Sequence, residues 1–299
     1  MEIEEIFKSF NDRLLDKHKR LKTEVTKEKL STLGEFFMSR HLTDEEMESF
    51  LPKGIAAVDG SNNSYGGADP NIIHFLRACY IPDMKREMVE EVRILSPLVD
   101  VEVSPKSELS KLEVIAAKKG LEKYDSKALL MDGGLIRYIA DAEDEYKELL
   151  QLVEERDTLF MGVIEDMKSR SVAKALRIEG CFDRELFFGN LAPGEAFFLY
   201  DKFNLKKESA ISTIYLRPGN DPMAISIDFP SVSVDKRELI TNLVRTLTPD
   251  MSRGIPFILD IVDKYAKVTD KDMQYFIKKY ISEDVKRLYL DEARQKRWM

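Results

Sequence analysis

The amino-acid sequence predicts an α/β domain over residues 51–299, preceded by a helical N-terminal arm over residues 1–50 and closed by a helical C-terminus. Three observations carry this expectation. Short apolar runs at residues 55–58, 127–131 and 158–164 end in acids and turn formers, the pattern of strands buried on both faces of a sheet. Strand candidates of imperfect alternation and a helical stretch lie between the first two runs, so the sheet is mixed and flanked by helices. Apolar residues at helical spacing recur at both ends of the chain.

In the arm, Ile3, Ile6, Phe7, Phe10 and Leu14, and then Leu30, Leu33, Phe36 and Phe37, predict two helices. The lysine-rich stretch 17–29 between them is a solvated helical face or a contact to phosphate or to a partner. Pro52 and Gly54 end the arm. The strand at 55–58 is expected to stop at the turn-forming run from Asp59 to Asn63, with residues 72–81 and 88–95 forming an antiparallel meander with it. Residues 107–123 place Leu109, Leu112, Ile115, Ala116 and Lys119 on one side of a helix. The run 127–131 repeats the first strand and ends in Asp132, Gly133 and Gly134. A polar helix over about 140–155 leads to the strand at 158–164, which ends in Glu165 and Asp166. Strands follow at 196–200, 211–217 and 224–229, the last alternating cleanly, and then helices at 236–246, 256–267 and from 270 onward. No internal repeat or low-complexity linker interrupts the order, which favours one domain.

Composition narrows the function. A net charge of -8 argues against a general basic coat for nucleic acid but allows a local basic groove. The two cysteines, Cys79 and Cys181, are too few for a disulfide framework or a cysteine zinc site, which suits a reducing compartment. The first twenty residues lack an apolar core, and no run approaches the ~20 apolar residues of a membrane span, so a soluble, cytoplasmic protein is expected.

The acids at the strand ends are the most informative feature. If the strands at 55–58 and 127–131 are neighbours, Asp59 and Asp132 face each other at the edge where ligands commonly bind. Carboxylates held so close raise each other's pKa unless a cation sits between them, and hard divalent ions such as Mg²⁺ or Mn²⁺ suit oxygen donors. Glycine after each acid lets a substrate approach, although Asp-Gly is also an ordinary turn signal. On the helix between them Glu113 is a third candidate, with Glu108 and Glu122 as alternatives.

These residues resemble the NurA domain nucleases. The matching stretches are IAAVDGSNN at 55–63, the helix around Glu113 followed by ALLMDGGL at 128–135, FMGVIEDMKSR at 160–170 and RGIPFILDIVDKYAKVT at 253–269. The resemblance implies an RNase H-like fold and a manganese-dependent (or magnesium-dependent) nuclease that processes DNA ends in double-strand break repair, beside a HerA-type hexameric translocase. It places Asp59, Glu113 and Asp132 as catalytic, metal-holding acids. The family's C-terminal pattern of tyrosines and prolines is reduced here to Gly254, Ile255, Pro256, Phe257 and Ile258, and Asp263 falls where many members carry histidine, with Asp260 as a competing ligand. On this basis Asp59 would bridge two ions ~3.5 to 4 Å apart, Asp132 and Glu113 would complete their shells and Asp263 would serve the second. Lys168 and Arg170 are the first choice for holding DNA phosphates.

Two other functions fit the same acids. One is an actin or sugar-kinase type phosphotransferase, which would need a second Gly-rich turn that residues beyond 196 do not show clearly; the other is a non-catalytic partner module of the translocase. The tail's Lys286, Arg287, Arg294, Lys296, Arg297 and Trp298 could stack and pair with single-stranded DNA or form a solvated helix. His18, His41 and His74 show no ligand spacing, and His41 is read as ending a helix. The resemblance also implies a homodimer, for which Phe182, Phe187, Phe188, Phe197 and Phe198 would supply apolar surface.

Overall fold

The structure is a computed structural model, which describes residues 3–50, 53–82 and 87–290. In chain order the elements are α1 (Ile3–Glu24), α2 (Lys27–Ser31), β1 (Gly34–Met38), α3 (Asp44–Glu48), β2 (Ile55–Gly66), β3 (Ile72–Ile81), β4 (Val89–Leu95), α4 (Pro105–Tyr124), β5 (Ala128–Asp132), α5 (Ile136–Asp141), α6 (Glu143–Glu155) and β6 (Leu159–Ile164). They continue with α7 (Ser171–Ala175), α8 (Asp183–Phe187), β7 (Glu195–Leu199), β8 (Ile211–Leu216), β9 (Ile225–Pro230), α9 (Arg237–Thr246), α10 (Phe257–Ala266), α11 (Asp270–Tyr280) and α12 (Glu283–Val285). Two compact units are drawn from separated segments. One joins the residues up to Thr43 with Met161–Phe257, and the other joins Asp44–Phe160 with the residues from Ile258 on.

The second of these units carries the expected mixed α/β arrangement. Its strands run in the order β5-β2-β3-β4. β2, β3 and β4 form the antiparallel meander, and β5 lies parallel to β2 from Ile55↔Ala128 to Val58↔Met131. Ala56, Ala57, Val58 and residues 128–131 are buried because both faces of these two strands are covered. β2 does not stop at Asp59 as its turn-forming residues suggest. It runs to Gly66, since β3 continues to pair with it as far as Ile72 and the ladder outweighs weak local propensity.

α4 crosses from the meander to β5. Ser104 caps its N-terminus and Pro105 starts its first turn, while Asp125 ends it in the left-handed conformation. Its buried stripe contains Glu113, Ala116, Ala117 and Gly120, positions separated by three, four and seven residues. These small residues let the helix press on the sheet. A Cβ at Gly120 would lie 2.2 Å from the ring of Tyr80, whose hydroxyl is 2.7 Å from Ser126 Oγ. The polar helix expected over 140–155 is broken at Ala142 into α5 and α6.

The other unit holds the antiparallel order β1-β7-β8-β9-β6. Residues 34–38, read as helical from Leu33, Phe36 and Phe37, are a strand paired from Gly34↔Leu199 to Met38↔Glu195. Gly34 accepts the close approach of Phe197 and the Phe198 carbonyl, which a helix-period count cannot register. His41 follows this strand in a loop and ends no helix. Phe187, Phe197 and Phe198 are buried within the unit, so the aromatic surface expected for dimerisation is reduced to half-buried Phe182 and exposed Phe188. β9 does not alternate: Asp228 is fully buried and is held by Lys206 Nζ at 2.5 and 2.7 Å and by Thr213 Oγ1 at 2.8 Å. Among the described residues no helix is long and apolar enough to cross a membrane. Arg294, Lys296, Arg297 and Trp298 lie outside the described residues, as does Pro52.

Lys206→Met leaves the Asp228 carboxylate buried without its counterion. Chemical denaturation of this variant is expected to show a loss of about 3 to 5 kcal/mol, and Lys206→Met with Asp228→Leu to recover much of it.

Candidate active site

The geometry of the site follows from a mismatch in strand length. β5 ends at Asp132 while β2 continues, and parallel pairing stops at Val58↔Met131. One further step of that register sets Asp59 beside Asp132 on strands about 4.8 Å apart, with both side chains on one face. Gly133 has a φ of 107°, which lets the chain leave β5 abruptly and enter α5 with Arg137 turned back toward the strand end.

Glu113 enters from α4 and is 1% exposed. Its carboxylate occupies the space that a side chain at residue 60 would fill: a Cβ on Gly60 would lie 2.5 Å from Glu113 Oε1 and 2.8 Å from Leu109 Cδ1. Glycine after Asp59 is therefore a steric requirement of the third acid. Glu113 Oε2 is ion-paired with Arg137 Nη2 and accepts a 2.7 Å hydrogen bond from the Tyr138 hydroxyl. Arg137 Nη2 also donates to the Asp132 carbonyl at 2.7 Å, tying α5 to the end of β5. Oε1 is buried and has no hydrogen-bond partner. One oxygen of Glu113 is thus fixed and the other is left with unused accepting capacity.

Electrostatics agree with the crowding. Burial, followed by the charges of Asp132, Glu113 and Asp263, pushes the Asp59 carboxyl up to about 7, against one hydrogen bond from the Gly60 backbone. Burial also raises the Glu113 carboxyl, with Asp132 adding to the effect and Arg137 and Tyr138 opposing it. Asp263, exposed on α10, is the C-terminal acid whose charge acts on Asp59; Asp260 is half-buried on the same helix. The α10–α11 turn is docked on β2, where Val268 N donates to Ser61 Oγ at 3.3 Å and Asn63 Nδ2 donates to the Val268 carbonyl at 2.9 Å. Asp59, Ser61 and Asn63 alternate onto the same face of β2, so this docking brings α10 to the acids.

The donors are hard oxygens, as Mn²⁺ or Mg²⁺ requires, and the unpartnered Glu113 Oε1 fits a ligand atom. Cys79, opposite Asp59 in the register, is buried and its thiol is pushed up to about 11 by that burial, so it offers no thiolate at neutral pH. Among the described residues no group of three His, Cys, Asp or Glu side chains is already closed at metal-binding distances. Arg137 takes up one oxygen of Glu113.

The alternatives on α4 lie elsewhere: Glu108 pairs with Arg93, and Glu122 is exposed. Lys168 and Arg170 belong to the other unit. Lys168 is solvent-exposed with its Nζ 3.6 Å from Asp166, and Arg170 lies 4.6 Å over the Phe182 ring. Buried Asp183 accepts from Ser171 N at 2.9 Å and Ala173 N at 3.0 Å, fixing the loop that presents Arg170. Arg170, Lys174 and Arg177 line one groove of ≈ 650 Å³. Sequence reasoning missed Arg137 and Tyr138, although they lie within one helical turn of Gly134, and missed Lys174 and Arg177, four and seven residues beyond Arg170.

The family model described as the NurA domain matches residues 53–268. The chain belongs to the NurA domain family. Its fold is similar to that of the NurA nuclease from Sulfolobus solfataricus, with 15% identity and a TM-score of 0.63 over 93% of this chain and 96% of that one. A NurA structure with manganese is 14% identical, covers 94% of this chain and 99% of its own, and has a TM-score of 0.57. A NurA bound to dAMP and manganese is 10% identical with a TM-score of 0.55 over 95% of this chain and 98% of that one. A comparison with curated protein sequences gives no match.

Gly60→Ala would force Glu113 out of its place and is expected to weaken Mn²⁺ binding, measured by titration calorimetry, by about tenfold or more while the far-ultraviolet circular dichroism is kept. The raised carboxyl of Asp59 also sets a sign for stability in metal-free solution. The folded state holds this proton from pH 3.8 up to about 7, where the unfolded chain has released it, so Asp59 lowers stability as pH rises through that window. Thermal midpoints measured between those limits are expected to fall less steeply in Asp59→Asn than in the unaltered chain.

Proposed function

We propose that this protein is a metal-dependent nuclease that hydrolyses phosphodiester bonds in DNA. The convergence of Asp59, Asp132 and buried Glu113 where β5 ends carries this reading. Family membership, and the manganese and dAMP bound by one NurA of the same fold, support it. Asp59, Asp132, Glu113 through its unpartnered Oε1, and Asp263 would together hold the ions. When bound, the ions supply an activated water and neutralise charge on the phosphoryl and leaving oxygens.

The remaining work falls to the chain itself. Arg137 and Tyr138 hold Glu113 by one oxygen and leave the other without a hydrogen-bond partner. Gly60 leaves the space that this carboxylate occupies. Lys168 and Arg170, joined by Lys174 and Arg177, would bind phosphates along the DNA backbone, offsetting a net charge that otherwise disfavours the substrate. Processing of DNA ends in double-strand break repair, action beside a HerA-type hexameric translocase, a homodimeric state and a cytoplasmic location belong to the same proposal and rest on family membership. So does a nuclease domain over residues 51–299 with the arm before it. The apolar side of α1, with Ile3, Ile6, Phe7 and Phe10 exposed, is a surface through which the arm could meet a partner.

Asp59→Asn and Asp132→Asn are each expected to lower Mn²⁺-supported cleavage of a labelled oligonucleotide by at least about a hundredfold with folding retained. Full activity in both variants would overturn the assignment. Asp263→Asn should reduce activity more than Asp260→Asn. Arg170→Ala with Lys174→Ala should raise KM, and each lost phosphate contact should lower the log–log salt dependence of binding by about one unit.

A further inference from the structure

The face of β2 that bears Asp59 leads to a second group of side chains that the hydrolytic site does not use. The β2–β3 register sets Asp59 opposite Cys79, Ser61 opposite Arg77 and Asn63 opposite Phe75, and opposed residues of an antiparallel pair share a face. Asn63 lies four residues beyond Asp59, about 13 Å along the strand. There Phe75 stacks on Phe276 of α11, with ring centroids 5.5 Å apart and planes 13° from parallel. Tyr280 continues the stack on Phe276 at 6.3 Å and 24°. The outer end of this ladder is open, since Tyr280 is 66% exposed and Tyr275 beside it is 56% exposed. Lys279 Nζ donates to the Tyr275 hydroxyl at 3.0 Å and lies 5.3 and 5.1 Å from the Tyr275 and Tyr280 ring centroids. At the inner end, Phe75, Val92, Val268 and Phe276 wall a groove of ≈ 230 Å³ that also contains Arg77, paired with Glu90, and Asp272.

We infer that this ladder is a base-stacking subsite for single-stranded DNA, gripping the substrate strand a short distance from the bond being cut. Near-parallel aromatic rings ending in an exposed tyrosine provide a surface on which an unpaired base continues the stack, and the adjacent lysines Lys278 and Lys279 attract the backbone phosphates. Arg77 offsets Glu90, and the further charge of Asp272 leaves the groove negative overall, which disfavours a phosphate there and leaves the neutral base as the group that enters. Duplex DNA cannot use the ladder in this way, because its bases are already stacked on each other. The subsite therefore selects an unpaired strand, or a frayed end, over an intact duplex. This inference rests on the nuclease reading for the strand's path to Asp59.

The test measures binding apart from cleavage. In an Asp59→Asn background, fluorescence anisotropy with a labelled oligothymidylate in Mn²⁺ buffer compares Tyr280→Ala, Tyr280→Trp and Tyr275→Ala with the parent. Loss of one base stack is expected to weaken single-strand binding by about 5- to 100-fold in the alanine variants, while Tyr280→Trp keeps parental affinity and manganese binding is unchanged. Unchanged affinity in both alanine variants would overturn the inference. So would a parallel change from dimer to monomer in sedimentation, which would assign the aromatic surface to a second copy of the chain. Hydrolysis of bis(p-nitrophenyl) phosphate by the unaltered chain separates the two readings: its absence counts against the nuclease, whereas failure of the stacking subsite leaves that hydrolysis intact.

Discussion

The crowding of carboxylates at the end of β5 is the constraint around which the second unit is organised. Asp59 and Asp132 are carried to one place by backbone pairing, which neither side chain can avoid, and Glu113 is added from the helix above. Such an arrangement works against folding: the Asp59 carboxyl rises to about 7 because burial and like charges disfavour its ionised form. Perturbed acids in a polar cluster are commonly the mark of a functional centre. Arg137 and Tyr138 relieve the repulsion only in part, since they satisfy one oxygen of Glu113 and leave Oε1 without a partner. The chain thus retains a concentration of negative charge that a divalent cation would stabilise.

Steric allowances elsewhere keep that concentration in place. Gly120 lets α4 approach Tyr80, Gly60 makes room for Glu113, and Gly133 turns the chain so that Arg137 points back at Asp132. On the opposite side of β2, Ser61 and Asn63 fasten the α10–α11 turn through the Val268 backbone. That attachment brings the charge of Asp263 to Asp59 and sets the aromatic side of α11 beside Phe75. Packing, charge and the aromatic ladder of α11 are in this way linked through one strand, β2.

Much of this unit was legible in the sequence. The paired apolar runs ending in Asp-Gly identified β5 and the first half of β2, and β3, β4 and α4 agree with their periodicities to within a few residues. Local rules failed where tertiary contacts decided the outcome. The polar run from Asp59 to Asn63 has the composition of a turn, yet β3 pairs with all of it. The segment containing Phe36 and Phe37 fits a helical spacing, yet it completes a sheet edge against β7. Asp228 fits an alternating surface strand, yet Lys206, brought from a distant turn, lets it be buried. In the candidate site, the neighbouring placement of Asp59 and Asp132 was legible from the two apolar runs that each end in Asp-Gly. Glu113 stood beside Glu108 and Glu122 as a helical candidate until the family resemblance singled it out, because a helical glutamate gives no local sign of burial, and Arg137 and Tyr138 act through a contact that only the folded chain creates.

Under the proposed function the acids form one metal centre in which Glu113 contributes a single oxygen. Anomalous diffraction from crystals soaked in Mn²⁺ tests it most directly. The expected result is manganese peaks bonded to Asp59, Asp132 and Glu113 Oε1, with Arg137 still paired to Oε2. Manganese bound away from these acids, or coordinated by Oε2 with Arg137 displaced, would contradict it.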